Sequence, residues 1–187
     1  APVGAPPPAD SAAREEALRA RADAWLVDHG APSLERLAAL FTRVDLRLLA
    51  TWPELDHNGA RRGAGYRGVW NERFGGAPEW PAGEGPRVVA YLKEFPALDA
   101  LLHLLRRSGL PVLACLSQSD TARRAAHAAP NLHLTDAPFD LERAGADADL
   151  AILNGGHGAT ATLLRTGTPI LQIPLRLEQF LVARRVV

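Results

Sequence analysis

The sequence predicts an α/β fold, with a parallel sheet and flanking helices, preceded by further helices and a long connecting segment. From residue 87 onward, short apolar runs alternate with segments of helical periodicity, which is the pattern of right-handed βαβ units. The run at residues 150–153 is continuous and apolar, as in a strand buried on both faces, and it ends in a glycine cluster. Because 47% of the 187 residues are hydrophobic, the chain can bury one full core.

The regular half contains five predicted strands, each a short run of mainly apolar residues. They cover residues 88–92, 111–116, 131–135, 150–154 and 170–173. Helices are predicted after the first, second, fourth and fifth of these strands. The first helix has Pro96 at N1 and ends at Gly109, the second covers residues 120–129, the third covers 160–165 and ends at Gly167, and the fourth begins near Leu177.

The N-terminal part of the chain is less regular. Residues 1–9 are rich in Pro and Ala and are predicted to form a loop or to be disordered. Asp10 or Ser11 can cap a first helix, which Gly30 ends. Ser33 can cap a second helix, whose apolar face would comprise Leu34, Leu37, Ala38 and Phe41.

Residues 51–85 are rich in Gly, Pro, Trp and Arg and show no clear periodicity. A segment of this length is too long for an ordinary loop, which favours an interdomain or functional connector. The sequence contains no Met and stops within an amphipathic pattern. We therefore expect a fragment of a longer protein, with its last domain truncated at the C-terminus.

The composition argues against several functional classes. The formal net charge is +0, so no overall field attracts nucleic acid or an acidic membrane surface. Cys115 is the single cysteine and lies inside an apolar run, which favours a buried, inert thiol in a reducing cytoplasm. No apolar run approaches the ~20 residues that a transmembrane helix needs.

The glycine cluster after residue 153 predicts an anion site. Gly155, Gly156 and Gly158 allow a tight turn and leave no Cβ between the backbone and a ligand. The helix that follows would direct its N–H groups and the positive end of its dipole outward. A diphosphate is the ligand that such a turn suits best.

Several motifs together resemble one enzyme family. They are Pro138-Phe139-Asp140-Leu141, the turn from Asn154 to Thr160, Gly167-Thr168-Pro169, Pro174 and Glu178-Gln179. Their combination resembles the donor-binding half of glycosyltransferases of the two-Rossmann (GT-B) type, above all the UDP-glycosyltransferase family and its bacterial antibiotic- and macrolide-glycosylating members. The resemblance covers roughly residues 87–187. It implies a Rossmann-like donor domain at 86–187, an interdomain linker at 51–85 and, at 1–50, the helical remainder of an acceptor-side domain.

The resemblance also implies roles for individual residues. The donor diphosphate would lie on Asn154, Gly155, Gly156, His157, Gly158, Ala159 and Thr160. Glu178 and Gln179 would bind sugar hydroxyls through their acceptor oxygens. Pro138, Phe139, Asp140, Leu141 and Thr162 would lie on the base and ribose side.

Three positions depart from the family pattern. Many members have His where Asn154 stands, Ser or Thr where Ala159 stands, and a ribose-binding Glu where Thr162 stands. The last departure weakens the expectation of ribose binding and of a strict uridine preference. The family's catalytic base, a His of the acceptor domain, has no counterpart in this sequence.

The function expected from the resemblance is glycosyl transfer. A hexose would move from a UDP- or dTDP-sugar to a hydroxyl of a small-molecule or lipid acceptor, without a metal and with no cofactor beyond the donor co-substrate. A helix N-terminus can stabilise the charge that develops on the leaving diphosphate, and His157 can add a proton or positive charge. This chain would supply donor binding, would be inactive alone, and would be cytoplasmic, without a nucleic-acid partner.

Other interpretations stay open. Residues 156–161 match G-x-G-x-x-A, the fingerprint of NAD(P)-binding oxidoreductases, although that fingerprint belongs to the first βα turn and three strands precede it here. A nucleotide-sugar epimerase or a non-catalytic nucleotide-sugar-binding fragment is also compatible with the sequence. Asp147-Ala148-Asp149 matches the D-x-D metal motif of another glycosyltransferase fold, but it precedes its strand and so falls at the wrong sheet edge.

Overall fold

The computed structural model describes residues 10–42, 44–70, 75–117, 119 and 121–187. The contacts divide the chain into two compact units, Ala1–Leu48 and Leu49–Val187. The segment at 51–85 therefore belongs to the same unit as the predicted donor domain. Its assignment as an interdomain linker stays a prediction, as do the other domain boundaries.

The first unit contains one long helix. Helix α1 spans Ser11–Asp28 with Asp10 as its N-cap residue, as predicted. The Asp10 side chain makes no capping hydrogen bond; its carboxylate pairs instead with Arg14 at 2.5 Å.

The second predicted helix is wrong over most of its length, because α2 covers only Ala39–Thr42. The Leu34 N–H donates to a carboxylate oxygen of Asp23 at 2.7 Å, and the Leu34 carbonyl accepts from Arg19 at 2.9 Å. A helix starting at Ser33 would have used the Leu34 carbonyl for its first turn, and Arg19 of α1 takes that carbonyl instead.

The second unit is built on a parallel sheet of five strands, which confirms the predicted fold class. The strands are β1 (Val88–Leu92), β2 (Val112–Leu116), β3 (Leu132–Thr135), β4 (Leu150–Leu153) and β5 (Ile170–Gln172). They are ordered β3-β2-β1-β4-β5. Each neighbouring pair runs parallel, with Val88 opposite Val112 on one side and Leu150 on the other.

Five helices connect or follow these strands. They are α3 (Leu98–Ser108), α4 (Thr121–His127), α5 (Leu141–Ala146), α6 (His157–Thr166) and α7 (Leu177–Val186). Helix α5 was not predicted, and α6 begins three residues earlier than expected. Pro96 is not at N1, because Ala97 is the N-cap of α3. The ends at Gly109 and Gly167 are as predicted, since both glycines are left-handed, at φ 69° and 76°.

The core forms on both faces of the sheet. On one face, Leu98, Leu102 and Leu105 of α3 pack against one set of alternating strand residues. On the other face, Ala144 and Leu163, from α5 and α6, pack against the opposite set. The central strands β1, β2 and β4 are therefore apolar on both faces, as a continuous apolar run predicts.

The strand order places a crevice between β1 and β4. The chain proceeds outward from β1 to β3 and then returns to add β4 on the other side of β1. Connections leave the carboxyl ends of β1 and β4 in opposite directions at this point, which is where ligands bind in open α/β sheets. No helix of the described residues is both long and apolar enough to cross a membrane.

Candidate functional site

The glycine turn follows β4 at this crevice. Gly155 has a φ of +78°, and a Cβ placed on it would lie 3.0 Å from both the Gln179 carbonyl oxygen and Gln172 Oε1. Glycine is therefore needed at this position for shape and for space. Gly156 has an ordinary φ of −63°, and a Cβ placed there would meet nothing within 4 Å. The turn is thus closed on the Gly155 side and open on the Gly156 side.

Helix α6 begins directly after the turn, with Gly156 as its N-cap. Its first internal hydrogen bond runs from the Thr160 N–H to the Gly156 carbonyl at 2.9 Å. Within the described part of the chain, the backbone N–H groups of His157 and Ala159 donate to no acceptor. These donors and the positive end of the helix dipole lie at the carboxyl edge of the sheet, where an anion can be held.

Asn154 is buried at the end of β4, and its side chain is hydrogen-bonded to the backbone at the ends of β1 and β5. Its Oδ1 accepts from the Lys93 N–H at 2.6 Å, just after β1, and its Nδ2 donates to the Ile173 carbonyl at 3.1 Å, just after β5. The amide therefore positions the turn through backbone contacts. Only the second hydrogen of the Asn154 amide is left to donate to a diphosphate. A direct contact of this kind stays a prediction.

His157 is the first residue of α6 and is partly buried. Its Nε2 lies 2.7 Å from the Thr51 hydroxyl, within hydrogen-bond distance. Burial lowers the pKa of His157, and the neighbouring His57 lowers it further, against smaller opposing effects of Glu178 and Asp56. The imidazole of the free chain therefore favours its neutral form more than an exposed histidine does. A proton or positive charge supplied by His157 to a bound donor stays a prediction.

The segment that carries Thr51 is itself firmly held. Asp56 is 3% exposed and accepts from the Tyr66 hydroxyl at 2.8 Å and from Arg61 Nε at 3.0 Å. Burial raises the pKa of Asp56, but the hydrogen bonds from Tyr66, Arg61 and the Asn58 N–H lower it by more, so the carboxylate stays charged. In addition, Arg185 of α7 donates to the Glu54 carbonyl at 2.9 Å.

Sequence reasoning missed this contribution from Thr51. The residue is 106 positions from His157 in the chain, and no local pattern marks a single Thr in an irregular segment. Only the packing of residues 51–56 beside α6 and α7 reveals it.

The two residues predicted to bind sugar differ in their availability. Glu178 is exposed, and its carboxylate makes no hydrogen bond or ion pair within the described residues. Gln179 is buried, and its Oε1 accepts from the N–H groups of Leu175 and Arg176 at 2.8 and 3.1 Å. The acceptor expected from Gln179 is thus already used in capping α7. Sugar binding by Gln179 stays a prediction, and it would depend on the amide N–H₂ group.

The segment predicted on the base side lies between β3 and α5, and its side chains serve the fold. Phe139 is 5% exposed and packs edge-on against Tyr91, with ring centroids 6.3 Å apart. Asp140 caps α5 by accepting from the Arg143 N–H at 3.1 Å, and Leu141 is the first residue of that helix. The Pro138 carbonyl accepts from the Gly76 N–H at 3.2 Å. The Asp140 N–H also donates, to the Gly76 carbonyl at 2.9 Å, so recognition of the base by this segment stays a prediction.

Thr162 lies one turn into α6, and its hydroxyl donates to the Gly158 carbonyl at 3.0 Å. A ribose contact from this residue stays a prediction. Two further polar groups near the turn have no hydrogen-bond partner within the described chain. They are the buried hydroxyl of Thr160 and the carboxamide of Gln172. Thr160 was predicted from the sequence as a diphosphate-binding residue, whereas Gln172 was not predicted.

The described residues contain no cluster of three or more His, Cys, Asp or Glu side chains suited to a metal ion. Asp149 of the D-x-D motif accepts from the Arg87 N–H at 2.8 Å. This contact joins the residues that enter β4 and β1, so the motif lies at the edge opposite the glycine turn. Cys115 is buried as predicted, and burial raises the pKa of its thiol.

No protein-family model matches the sequence, and no curated protein matches it. Solved structures do match. The glycotransferase of kitacinnamycin is similar over 95% of this chain and 48% of its own, at 21% identity and a TM-score of 0.66. SnogD from Streptomyces nogalater is similar over 74% of this chain and 41% of its own, at 22% identity and a TM-score of 0.54. The glycosyltransferase SsfS6 from Streptomyces sp. SF2575, complexed with thymidine diphosphate, is similar over 90% of this chain and 43% of its own chain, at 20% identity and a TM-score of 0.53.

These similarities establish the fold. The second unit is a Rossmann-like α/β domain of the kind found as the C-terminal domain of GT-B glycosyltransferases. The chain spans less than half the length of each of these three structures.

Proposed function

We propose that this chain is the donor-binding part of a glycosyltransferase that moves a hexose from a UDP- or dTDP-sugar to a hydroxyl of a small-molecule or lipid acceptor. The observation that carries the proposal is the turn at Gly155 and Gly156, which opens onto the N-terminus of α6 at the carboxyl edge of the sheet. Glycosyltransferases of known structure share the fold, and one of them was solved with thymidine diphosphate.

The chemistry proposed for the site is stabilisation of the leaving group. When the bond between sugar and diphosphate breaks, negative charge accumulates on the diphosphate. The N–H groups of His157 and Ala159 and the helix dipole are fixed before reaction, so they stabilise this charge without reorganisation. Neutral His157, held by Thr51, can add one more hydrogen bond. We propose that no metal is required and that no cofactor besides the donor takes part.

The other end of the donor would lie near β5. Glu178 offers a free, exposed carboxylate beside the turn, which can accept hydrogen bonds from sugar hydroxyls. The base would lie toward the Pro138–Leu141 side. In this proposal, base, diphosphate and sugar would follow one another along the carboxyl edge of the sheet, with the sugar at the β5 end.

The experiment that tests this proposal is calorimetry with four ligands, namely UDP, dTDP, NAD⁺ and NADP⁺. We expect one of the nucleoside diphosphates to bind and the dinucleotides to bind more weakly. Preference for a dinucleotide would support the oxidoreductase alternative. The strand order disfavours that alternative, because the glycine turn follows β4 whereas the dinucleotide fingerprint follows β1.

We further propose that the chain alone does not turn over. Acceptor activation needs a positioned base within hydrogen-bond reach, and we assign that base to an acceptor-side domain. The test is incubation of the 187-residue chain with nucleotide sugars and an acceptor panel, followed by mass spectrometry. Multiple-turnover glycoside formation would contradict the assignment, whereas binding without turnover is also what a non-catalytic nucleotide-sugar-binding protein would show.

A further inference from the structure

Gln172 is a partly buried residue whose side-chain polar atoms are themselves buried and have no hydrogen-bond partner within the described residues. It is the last residue of β5 and lies opposite Leu153 of β4. Both Oε1 and Nε2 of its carboxamide are buried, and neither makes a hydrogen bond within the described residues. Buried amides are nearly always satisfied in folded proteins, and an unsatisfied one lowers stability. A group of this kind at a strand end therefore points to a partner that arrives from outside.

The position of Gln172 shows which partner fits. Its Oε1 lies 3.0 Å from where a Cβ of Gly155 would be, so the carboxamide packs directly against the closed side of the turn. Gln179, at the start of α7, lies on the same side. The residue thus lies beside the turn that carries the proposed diphosphate site, on the β5 side of β4.

We propose that Gln172 binds a hydroxyl of the donor sugar through hydrogen bonds from and to its carboxamide. This inference rests on the proposed function and deepens it. A carboxamide presents one acceptor and two N–H donors, and a sugar hydroxyl both donates and accepts, so one hydroxyl can satisfy both polar atoms of Gln172. Both polar atoms are buried in the free chain, so the hydroxyl would reach them after a rotation of the side chain or through one ordered water. Gln179 cannot supply the same acceptor, because its Oε1 already accepts from two backbone N–H groups.

The proposal predicts opposite effects of one substitution on stability and on binding. Gln172→Met keeps the length and flexibility of the side chain and removes both polar atoms. The free chain should become more stable, because an unsatisfied buried amide is lost. The affinity for a sugar nucleotide should fall by about tenfold, while the affinity for the free nucleoside diphosphate stays within about twofold of that of the unsubstituted chain.

The experiment measures both quantities on the full 187-residue chain. Calorimetry with UDP, dTDP, UDP-glucose and dTDP-glucose gives the ratio of affinities with and without sugar, and thermal unfolding gives stability. Leu171→Ala is the matched control, because Leu171 is the preceding residue of β5 and is 51% exposed on the opposite face. Gln172→Leu provides a second apolar variant should the first fail to fold.

The outcomes separate this inference from the function on which it rests. A chain that binds no nucleoside diphosphate refutes the proposed function itself. A chain that binds nucleoside diphosphates but neither sugar nucleotide, or whose ratio of affinities is unchanged in both Gln172 variants, refutes the role of Gln172 alone. A rise in stability with an unchanged ratio would show that the carboxamide is merely an unsatisfied group of the fold.

Discussion

The pair of substitutions Gly155→Ala and Gly156→Ala separates the two roles of the turn. At Gly155, an alanine must adopt a φ of +78°, which costs about 1–2 kcal/mol for a residue with a Cβ. Its Cβ would also lie 3.0 Å from the Gln179 carbonyl oxygen, a backbone atom that cannot move independently of α7. With this crowding added, we expect a total loss of about 2–3 kcal/mol in the free energy of unfolding.

At Gly156 the backbone angles suit alanine, and nothing lies within 4 Å of the new Cβ. A poorer N-cap and a less flexible unfolded chain have opposite effects on stability, so the net change should be within about 0.5 kcal/mol. The new methyl group would instead project into the open side of the turn, where the diphosphate is proposed to lie. We expect the affinity for a nucleoside diphosphate to fall by about tenfold or more, which is over ~1.4 kcal/mol.

Thermal unfolding monitored by circular dichroism, with calorimetry for binding, measures both effects. The midpoint should fall by about 5–10 °C for Gly155→Ala and hardly at all for Gly156→Ala. Equal stability of the two variants would refute our account of the turn's geometry. Unchanged affinity in Gly156→Ala would refute the placement of the diphosphate.

Two further predictions concern the residues on either side of the turn. Asn154→Ala should lower the free energy of unfolding by about 1–3 kcal/mol, measured in urea, because it leaves the Lys93 N–H without its acceptor; a smaller loss would mean that water replaces the amide. The His157 ring should titrate with a midpoint below 6.5 by NMR in the free chain. Because the unfolded state then binds the proton more tightly, stability should decline as the pH falls below about 6.5, and this part of the decline should vanish in His157→Gln. A midpoint above 6.5 would contradict the burial of the imidazole.

The sequence predicted the sheet well because its signals are local. The three central strands β1, β2 and β4 are continuous apolar runs, and left-handed glycines mark the ends of α3 and α6. Helix α5 was missed because Leu141–Ala146 is only six residues long, too short to show a clear period. The helix predicted from Ser33 failed because the Leu34 carbonyl, which that helix would have used, accepts from Arg19 of α1 instead.

The candidate site was predicted less completely than the fold. The glycine pattern and the resemblance located the turn, since both depend on adjacent residues. How each side chain is used depends on partners far along the chain. Gln179 gives its oxygen to a local cap, Phe139 gives its ring to the core, and Thr51 reaches His157 across 106 positions. No pattern of residue types encodes such contacts.

The central claim is that a nucleoside diphosphate binds at the turn and the N-terminus of α6. Backbone amide NMR during titration with UDP or dTDP tests it most directly. We predict that the largest shift changes fall on residues 155–160, that smaller changes reach the start of α7, and that Arg87 and Asp149 at the opposite sheet edge do not respond. Largest changes elsewhere, for example in the groove of about 460 Å³ lined by Ala125, Leu132 and other residues of α4 and β3, would contradict the claim.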